Sequence, residues 1–269
     1  NPEADKTVLL YPEGQDTDKG IVENGETVTL GPGESNGITE AETRNKYGNV
    51  SLVGDKARME FYFPEKPNGQ MVVVCPGGGY STVCAIKEGE DVAKWMNKRG
   101  VTVCVVVYRL PNGHAKVPLT DVQNAFRYCR KHAAEWGISQ IGIMGFSAGG
   151  HLAASASVLF TDSITRPDFS VLIYPVIDLA HHEGTRKELV GDDNVLKEKY
   201  SLQNQIGEDT PRTFIALCQD DKVVNPKSSL LYYNSLLDKG IKAEMYIFPT
   251  GGHGWGFLNE EISGRKDGL

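Results

Sequence analysis

The sequence predicts a three-layer α/β/α fold, a mostly parallel central sheet with helices on both faces. Three observations carry this. Six runs are continuously apolar or β-branched: Met71 to Cys75, Val101 to Tyr108, Ile141 to Gly145, Ser170 to Tyr174, Thr213 to Cys218 and Ala243 to Phe248. Runs of that kind suit parallel strands buried on both faces. Helical patterns alternate with them, over Glu88 to Arg99, Leu119 to Trp136, Ala148 to Phe160 and Lys227 to Lys239, which is the rhythm of βαβ units. Finally, 269 residues at 40% hydrophobic and 23% charged suffice for one domain with a sizeable core.

Taken in order, residues 1–50 are rich in Gly, Glu, Asn and Thr and read as an irregular arm wrapping the surface. Within it, Val8 to Pro12 is a short apolar entry, and Ile21 to Leu30 is a weak strand or hairpin signal. Val50 to Val53 and Ala57 to Phe63 read as edge strands; in the second, Met59, Phe61 and Phe63 alternate with Arg58, Glu60 and Tyr62. Pro64 to Gly69 is turn chemistry. The core then runs over residues 70–258, and Gly100 and Gly240 stand at the C-cap positions of the first and last helices. Pro175 to Asp193 and Tyr200 to Pro211 are polar segments with short helical pieces, candidates for a reduced lid over an open cleft. The whole, residues 1–269, reads as a single domain.

The net charge of −7, with no Lys/Arg block, argues against a nucleic-acid partner. No apolar stretch is long enough to span a bilayer. Of five cysteines, Cys104 and Cys129 lie in apolar or helical runs and read as buried thiols; Cys75 and Cys84 flank a glycine turn, and their pairing stays open because spacing does not supply disulfide geometry.

The chemistry centres on Gly145-Phe146-Ser147-Ala148-Gly149, which follows an apolar strand and opens a helix. A serine at the apex of such a turn needs a base to take its proton and a third group to orient the base. Downstream, Asp220-Asp221 follows the run ending at Cys218, and Gly251-Gly252-His253-Gly254 follows the run ending at Phe248. Asp221 is the favoured acid, with Asp220 as the alternative. His253 is the favoured base over His151, which lies one helical turn beyond Ser147 and is expected to pack or bond within its helix. Donors for an oxyanion are expected from the Ala148 amide and from Pro76-Gly77-Gly78-Gly79-Tyr80, directly after the strand Met71 to Cys75. Tyr80, Phe146 and Trp255 lie within these motifs and are candidate walls of a substrate pocket, with ordinary packing as the plain alternative. Arg109 reads as a structural ion-pair partner. His114, His132 and the His181-His182-Glu183 run read as surface residues, the last without zinc-ligand spacing.

These residues resemble the esterase/lipase branch of the α/β-hydrolases, near the hormone-sensitive-lipase-like group. More narrowly, Cys75 to Tyr80, Tyr108 to Pro111, Ile143 to Ala153, Tyr174 to Ile177, Asp220 to Val224 and Gly251 to Gly254 are similar to bacterial acetyl-xylan-esterase-type carboxylesterases. The resemblance covers roughly residues 70–258. It implies Ser147, Asp221 and His253 as a catalytic triad, with Gly78, Ala148 and also Gly79 as oxyanion donors. It further implies deacetylation of plant cell-wall carbohydrate, no metal or organic cofactor, and a secreted or periplasmic setting, with the cytoplasm as the alternative. Asn1 fits either a removed leader or a trimmed chain. Cys218 and Gln219 depart from the residues usual before the acid. A prolyl-oligopeptidase-type peptidase and a non-catalytic binding module are the rival expectations.

Overall fold

A computed structural model of the chain describes residues 3–12, 21–24, 26–28 and 34–257. Eight strands form the central sheet: β1 Lys6–Leu9, β2 Arg58–Tyr62, β3 Gln70–Cys75, β4 Thr102–Val107, β5 Gln140–Phe146, β6 Ser170–Ile173, β7 Thr213–Cys218 and β8 Ala243–Phe248. Their spatial order is β1-β2-β4-β3-β5-β6-β7-β8. The pairs β1/β2 and β2/β4 are antiparallel and every later pair is parallel. Strands β3, β4 and β5 are buried along almost their whole length, as their unbroken apolar sequences require. Because β3 to β8 all point the same way, the loops after β3, β5, β7 and β8 emerge on one edge. That edge carries the glycine loop, Ser147, Asp221 and His253.

Among the described residues six α-helices, α1 Asp91–Asn97, α2 Lys116–His132, α3 Ala148–Val158, α4 Glu183–Val190, α5 Asn194–Lys199 and α6 Lys227–Asp238, accompany the sheet. Neighbouring residues of β5 show that α1 and α3 lie on opposite faces. A Cβ on Gly145 would come within 2.8 Å of Ala153 Cβ in α3. The next residue, Phe146, instead meets Phe257, whose ring packs 4.6 Å from Trp95 of α1.

Several local expectations change. The arm is not all irregular: β1 extends the sheet, so β2 is an interior strand, and Met59 to Tyr62 are all buried rather than alternating. Val50–Ser51 pairs with Thr43–Arg44 instead of joining the central sheet. A hairpin does form from Ile21–Glu23 and Glu26–Val28, while residues 29–30 of that expectation lie outside the described residues. The run Ala243 to Phe248 is not buried on both faces: β8 ends the strand order, and Tyr246 and Ile247 are 50% and 41% exposed. The first expected helix opens as a π-helical turn, Ile86–Glu90, with a non-helical residue at Glu88 (φ −108°, ψ 15°), before α1 begins. Gly100 and Gly240 take left-handed conformations (φ +82° and +68°) just beyond the helix ends, as expected of C-caps. All five cysteines are free thiols, Cys75 and Cys84 included. Among the described residues no helix is long and apolar enough to cross a membrane.

The arm is anchored by a buried polar cluster. Arg109, 3% exposed, ion-pairs Asp121 at 2.6 Å and donates to the Glu34 carbonyl and the Tyr11 hydroxyl. Tyr11 in turn donates to Asp121 Oδ1 at 2.6 Å. Arg109 is thus a structural partner, joining β4's end and α2 to two points of the arm.

Candidate active site

Ser147 sits between β5 and α3 with φ 56° and ψ −120°, a left-handed conformation that costs about 1–3 kcal/mol for a non-glycine residue and persists only when its surroundings enforce it. Two glycines enforce it here. A Cβ on Gly145 would lie 2.1 Å from the Gly149 carbonyl oxygen, and one on Gly149 would lie 2.1 Å from the Cys75 carbonyl oxygen. Only glycine lets β5, the head of α3 and the end of β3 approach this closely.

His253 reaches the serine from the loop after β8. Its Nε2 lies 2.8 Å from Ser147 Oγ, and its Nδ1 lies 2.7 Å from Asp221 Oδ2. A carboxylate only accepts, so Nδ1 carries the ring proton and Nε2 presents a lone pair to the serine hydroxyl. The remaining oxygen, Asp221 Oδ1, accepts the amides of Val223 and Val224, both at 2.9 Å. Asp221 is thereby locked by its own loop and almost fully buried. Asp220 does a different job. It accepts the amides of Gly252 at 2.8 Å and Gly251 at 3.3 Å, so it grips the loop that carries His253 rather than the imidazole.

The glycine loop lies beside the serine. Gly77 donates its amide to Glu88 Oε1 at 3.0 Å. Gly78, at φ +133°, would clash through any Cβ with the Thr82 carbonyl at 2.1 Å. The amides of Gly78, Gly79 and Ala148 have no partner among the described residues. Three free donors therefore lie in the two segments that meet at the serine, two on the glycine loop and one at the head of α3, where the helix dipole adds partial positive charge.

His151 is fully packed and is not the base, as expected, but its hydrogen bonds differ from expectation. It bonds across elements, not within its helix: Nε2 donates to the Tyr200 carbonyl at 2.7 Å, so Nδ1 accepts the Tyr80 hydroxyl at 2.9 Å. Burial pushes its pKa down to about 4. Tyr80 and Trp255 are each 1% exposed. Trp255 stands edge-on to Tyr174 at 4.9 Å, and Phe146 packs between Tyr174 and Phe257; neither Trp255 nor Phe146 has a face open for stacking on a sugar. Tyr80 floors a cleft of about 290 Å³ lined also by Leu52, Leu110, Asn112 and Glu188, on the same sheet edge as Ser147. The His181-His182 run is not simply solvated either. His182 is half-buried and caps α4 by accepting the Thr185 amide. Its pKa is lowered, by burial first and then by the charge of His253, with Asp221 opposing. His132 lies between Glu23 and Glu135, at 2.7 and 2.9 Å. Among the described residues no three His, Cys, Asp or Glu side chains are grouped to hold a metal ion. The segment between β6 and β7 carries α4 and α5 and is tied down by Asp178, which bonds Ser201 and Gln203.

Sequence inspection missed Glu88 and the hydroxyl of Tyr174. An acidic residue in a helical pattern looks like solvated surface, and nothing in the sequence marks the π-turn that turns Glu88 inward.

Comparison with known proteins places the chain among esterases and related hydrolases in sequence and fold. The chain is 37% identical over 230 residues to an acetylxylan esterase of Xylanibacter ruminicola, covering 81% of this chain and 48% of the relative. It is 35% identical over 211 residues to endo-1,4-beta-xylanase B of Butyrivibrio fibrisolvens, covering 71% and 33%. It therefore spans about half the length of the first relative and a third of the second. The crystal structure of an acetyl ester-xyloside bifunctional hydrolase from Caldicellulosiruptor lactoaceticus matches with a TM-score of 0.71 and 34% identity, over 85% of this chain and 87% of that one. Residues 72–206, half of the chain, match a family model described as alpha/beta hydrolase fold. With that match, the strand order and the Ser147 turn, the chain belongs to the alpha/beta hydrolase fold family.

Proposed function

We propose that this chain is a serine carboxylesterase that removes short acyl groups, acetyl above all, from plant cell-wall carbohydrate such as acetylated xylan. The observation that carries the proposal is the continuous contact from Asp221 through His253 to Ser147, with unspent amides beside the serine. The carbohydrate part rests on the acetylxylan esterase and acetyl ester-xyloside hydrolase among its relatives.

In this proposal Ser147 Oγ attacks the ester carbonyl and passes its proton to His253 Nε2. Negative charge develops on the carbonyl oxygen, where the amides of Ala148, Gly78 and Gly79 receive it. Each such donor is worth roughly 2.7–4 kcal/mol. Collapse of the adduct expels the sugar hydroxyl, protonated by His253, and leaves an acyl-serine. Water, deprotonated by the same imidazole, then attacks and releases the acid. Asp221 keeps the proton on Nδ1 throughout and steadies the imidazolium that forms.

Ser147→Ala tests this directly. Release of nitrophenol from its acetate, and of acetate from acetylated xylan, should be abolished while the melting temperature stays near the wild-type value. Unchanged turnover would defeat the assignment. A panel of acetyl, butyryl and feruloyl esters, run beside acetylated sugars, fixes the acyl and alcohol preferences; activity against a peptide panel alone would point to a peptidase. Fluorophosphonate labelling at Ser147 separates an enzyme from a binding module.

A further inference from the structure

We infer that Glu88 is a positioning residue for the proposed esterase, a buried clamp that holds the oxyanion loop and the base loop in one arrangement. The inference rests on the esterase reading and adds a residue to it. Glu88 is 3% exposed. Its Oε1 accepts the Gly77 amide at 3.0 Å, and its Oε2 accepts the Tyr174 hydroxyl at 2.5 Å. Tyr174 oxygen then accepts the Gly256 amide at 2.9 Å. The Tyr174 ring lies 4.6 Å from the His253 ring. One carboxylate thus links the glycine loop after β3 to the histidine loop after β8.

The backbone is built to permit this. Glu88 is the non-helical residue inside the π-turn, and π-turns occur frequently at functional sites. The turn is closely packed against β4 and the histidine loop, with a glycine at each contact. A Cβ on Gly89 would meet Val105 of β4 at 3.0 Å, and Cβ atoms on Gly254 and Gly256 would meet Lys87 Nζ and the Lys87 carbonyl at 3.3 and 3.2 Å. Tyr174 itself is held at φ +35°.

Position and polarity both speak for a clamp. A Cβ placed on Gly77 would be 2.8 Å from Glu88 Oε1 and 3.1 Å from Ser147 Cβ, so the carboxylate stands within about 6 Å of the serine. A negative charge there opposes the charge that develops on the substrate oxygen. Its gain therefore comes from geometry. Both partners of Glu88 donate, and only a group that accepts at both ends satisfies them. By taking the Gly77 amide, Glu88 also fixes which glycine amides stay free for substrate.

Two variants test this, Glu88→Gln, which keeps volume but puts a donor at one end, and Tyr174→Phe, which keeps the ring and removes the hydroxyl. Nitrophenyl acetate hydrolysis is measured well below each melting temperature, with wild type and Ser147→Ala as references. Each variant should lose roughly 10- to 100-fold in kcat, part of what a whole oxyanion donor is worth, with KM within about threefold of wild type. The double variant should be no worse than about threefold below the weaker single one, because both cut the same chain. Wild-type kcat in either folded variant overturns the inference, as does a loss confined to KM or one that vanishes on cooling. If Glu88→Gln does not fold, Tyr174→Phe decides alone; if neither folds, the residues are structural and the inference fails. An inactive, unlabelled wild type instead defeats the esterase proposal, which separates the two failures.

Discussion

Replacing Asp221 by Asn changes one hydrogen-bonding group and almost no volume. Because Asp221 Oδ1 accepts two amides at 2.9 Å, the asparagine oxygen stays there, and its NH2 group takes the place of Oδ2, 2.7 Å from His253 Nδ1. An NH2 group only donates. The imidazole must then turn its Nδ1 lone pair to the asparagine and carry its proton on Nε2, facing Ser147 Oγ at 2.8 Å. In that tautomer it takes no proton from the serine. Such an error lowers kcat by about 10⁴, or about 5 kcal/mol of barrier. Asp220→Asn is the internal comparison. Its contacts are two loop amides at an exposed position; asparagine keeps an oxygen to accept one of them, so the change removes a single bond worth about 1 kcal/mol, and about a fivefold loss is expected. The assay is kcat for an aryl acetate, with thermal melts to confirm equal folding. Asp221→Asn within about tenfold of wild type, or Asp220→Asn equally crippled, would refute the reasoning.

Two further perturbations act on stability. His151 has its pKa lowered to about 4 by burial, against 6.5 in the unfolded chain; the unfolded state therefore binds a proton that the folded state refuses. Stability from this source is complete above about pH 6.5 and falls by roughly 3 kcal/mol as the pH drops to about 4. Urea midpoints of wild type and His151→Gln, compared between pH 7 and 4.5, should converge toward acid; parallel curves would clear His151 of the effect. Arg109→Met should destabilise by about 3 kcal/mol or more, because it leaves Asp121, fully buried, without its cation. Adding Asp121→Leu should recover much of the loss; a single variant as stable as wild type would show that the cluster contributes nothing.

The layout of the site was legible in the sequence where one local pattern was enough. The apolar runs and the glycines around Ser147 each follow from a short window, and the order of serine, aspartate and histidine is read directly along the chain. Of the two adjacent aspartates at the end of β7 the sequence favoured Asp221 but left Asp220 open; their directions, Asp221 toward the imidazole and Asp220 toward the Gly251 and Gly252 amides, distinguish them. Tyr80 and Trp255 sat in suggestive motifs, yet both are almost fully buried, and of the two only Tyr80 borders the cleft beside Leu52 and Asn112. The strand at Lys6–Leu9 is too short to announce itself, and it becomes a strand because β2 offers it an open edge.

By itself, then, the sequence determined the layered fold, the elbow at Ser147 and the loops from which an acid and a base could come, because hydrophobic period and glycine placement are local properties of the chain. Tertiary structure alone decided which aspartate meets His253, which glycine amides remain free, and that Glu88 is buried between two loops. Those outcomes depend on distances between residues far apart in the chain, and nothing fixes such distances until the sheet has brought the ends of its strands to a common edge.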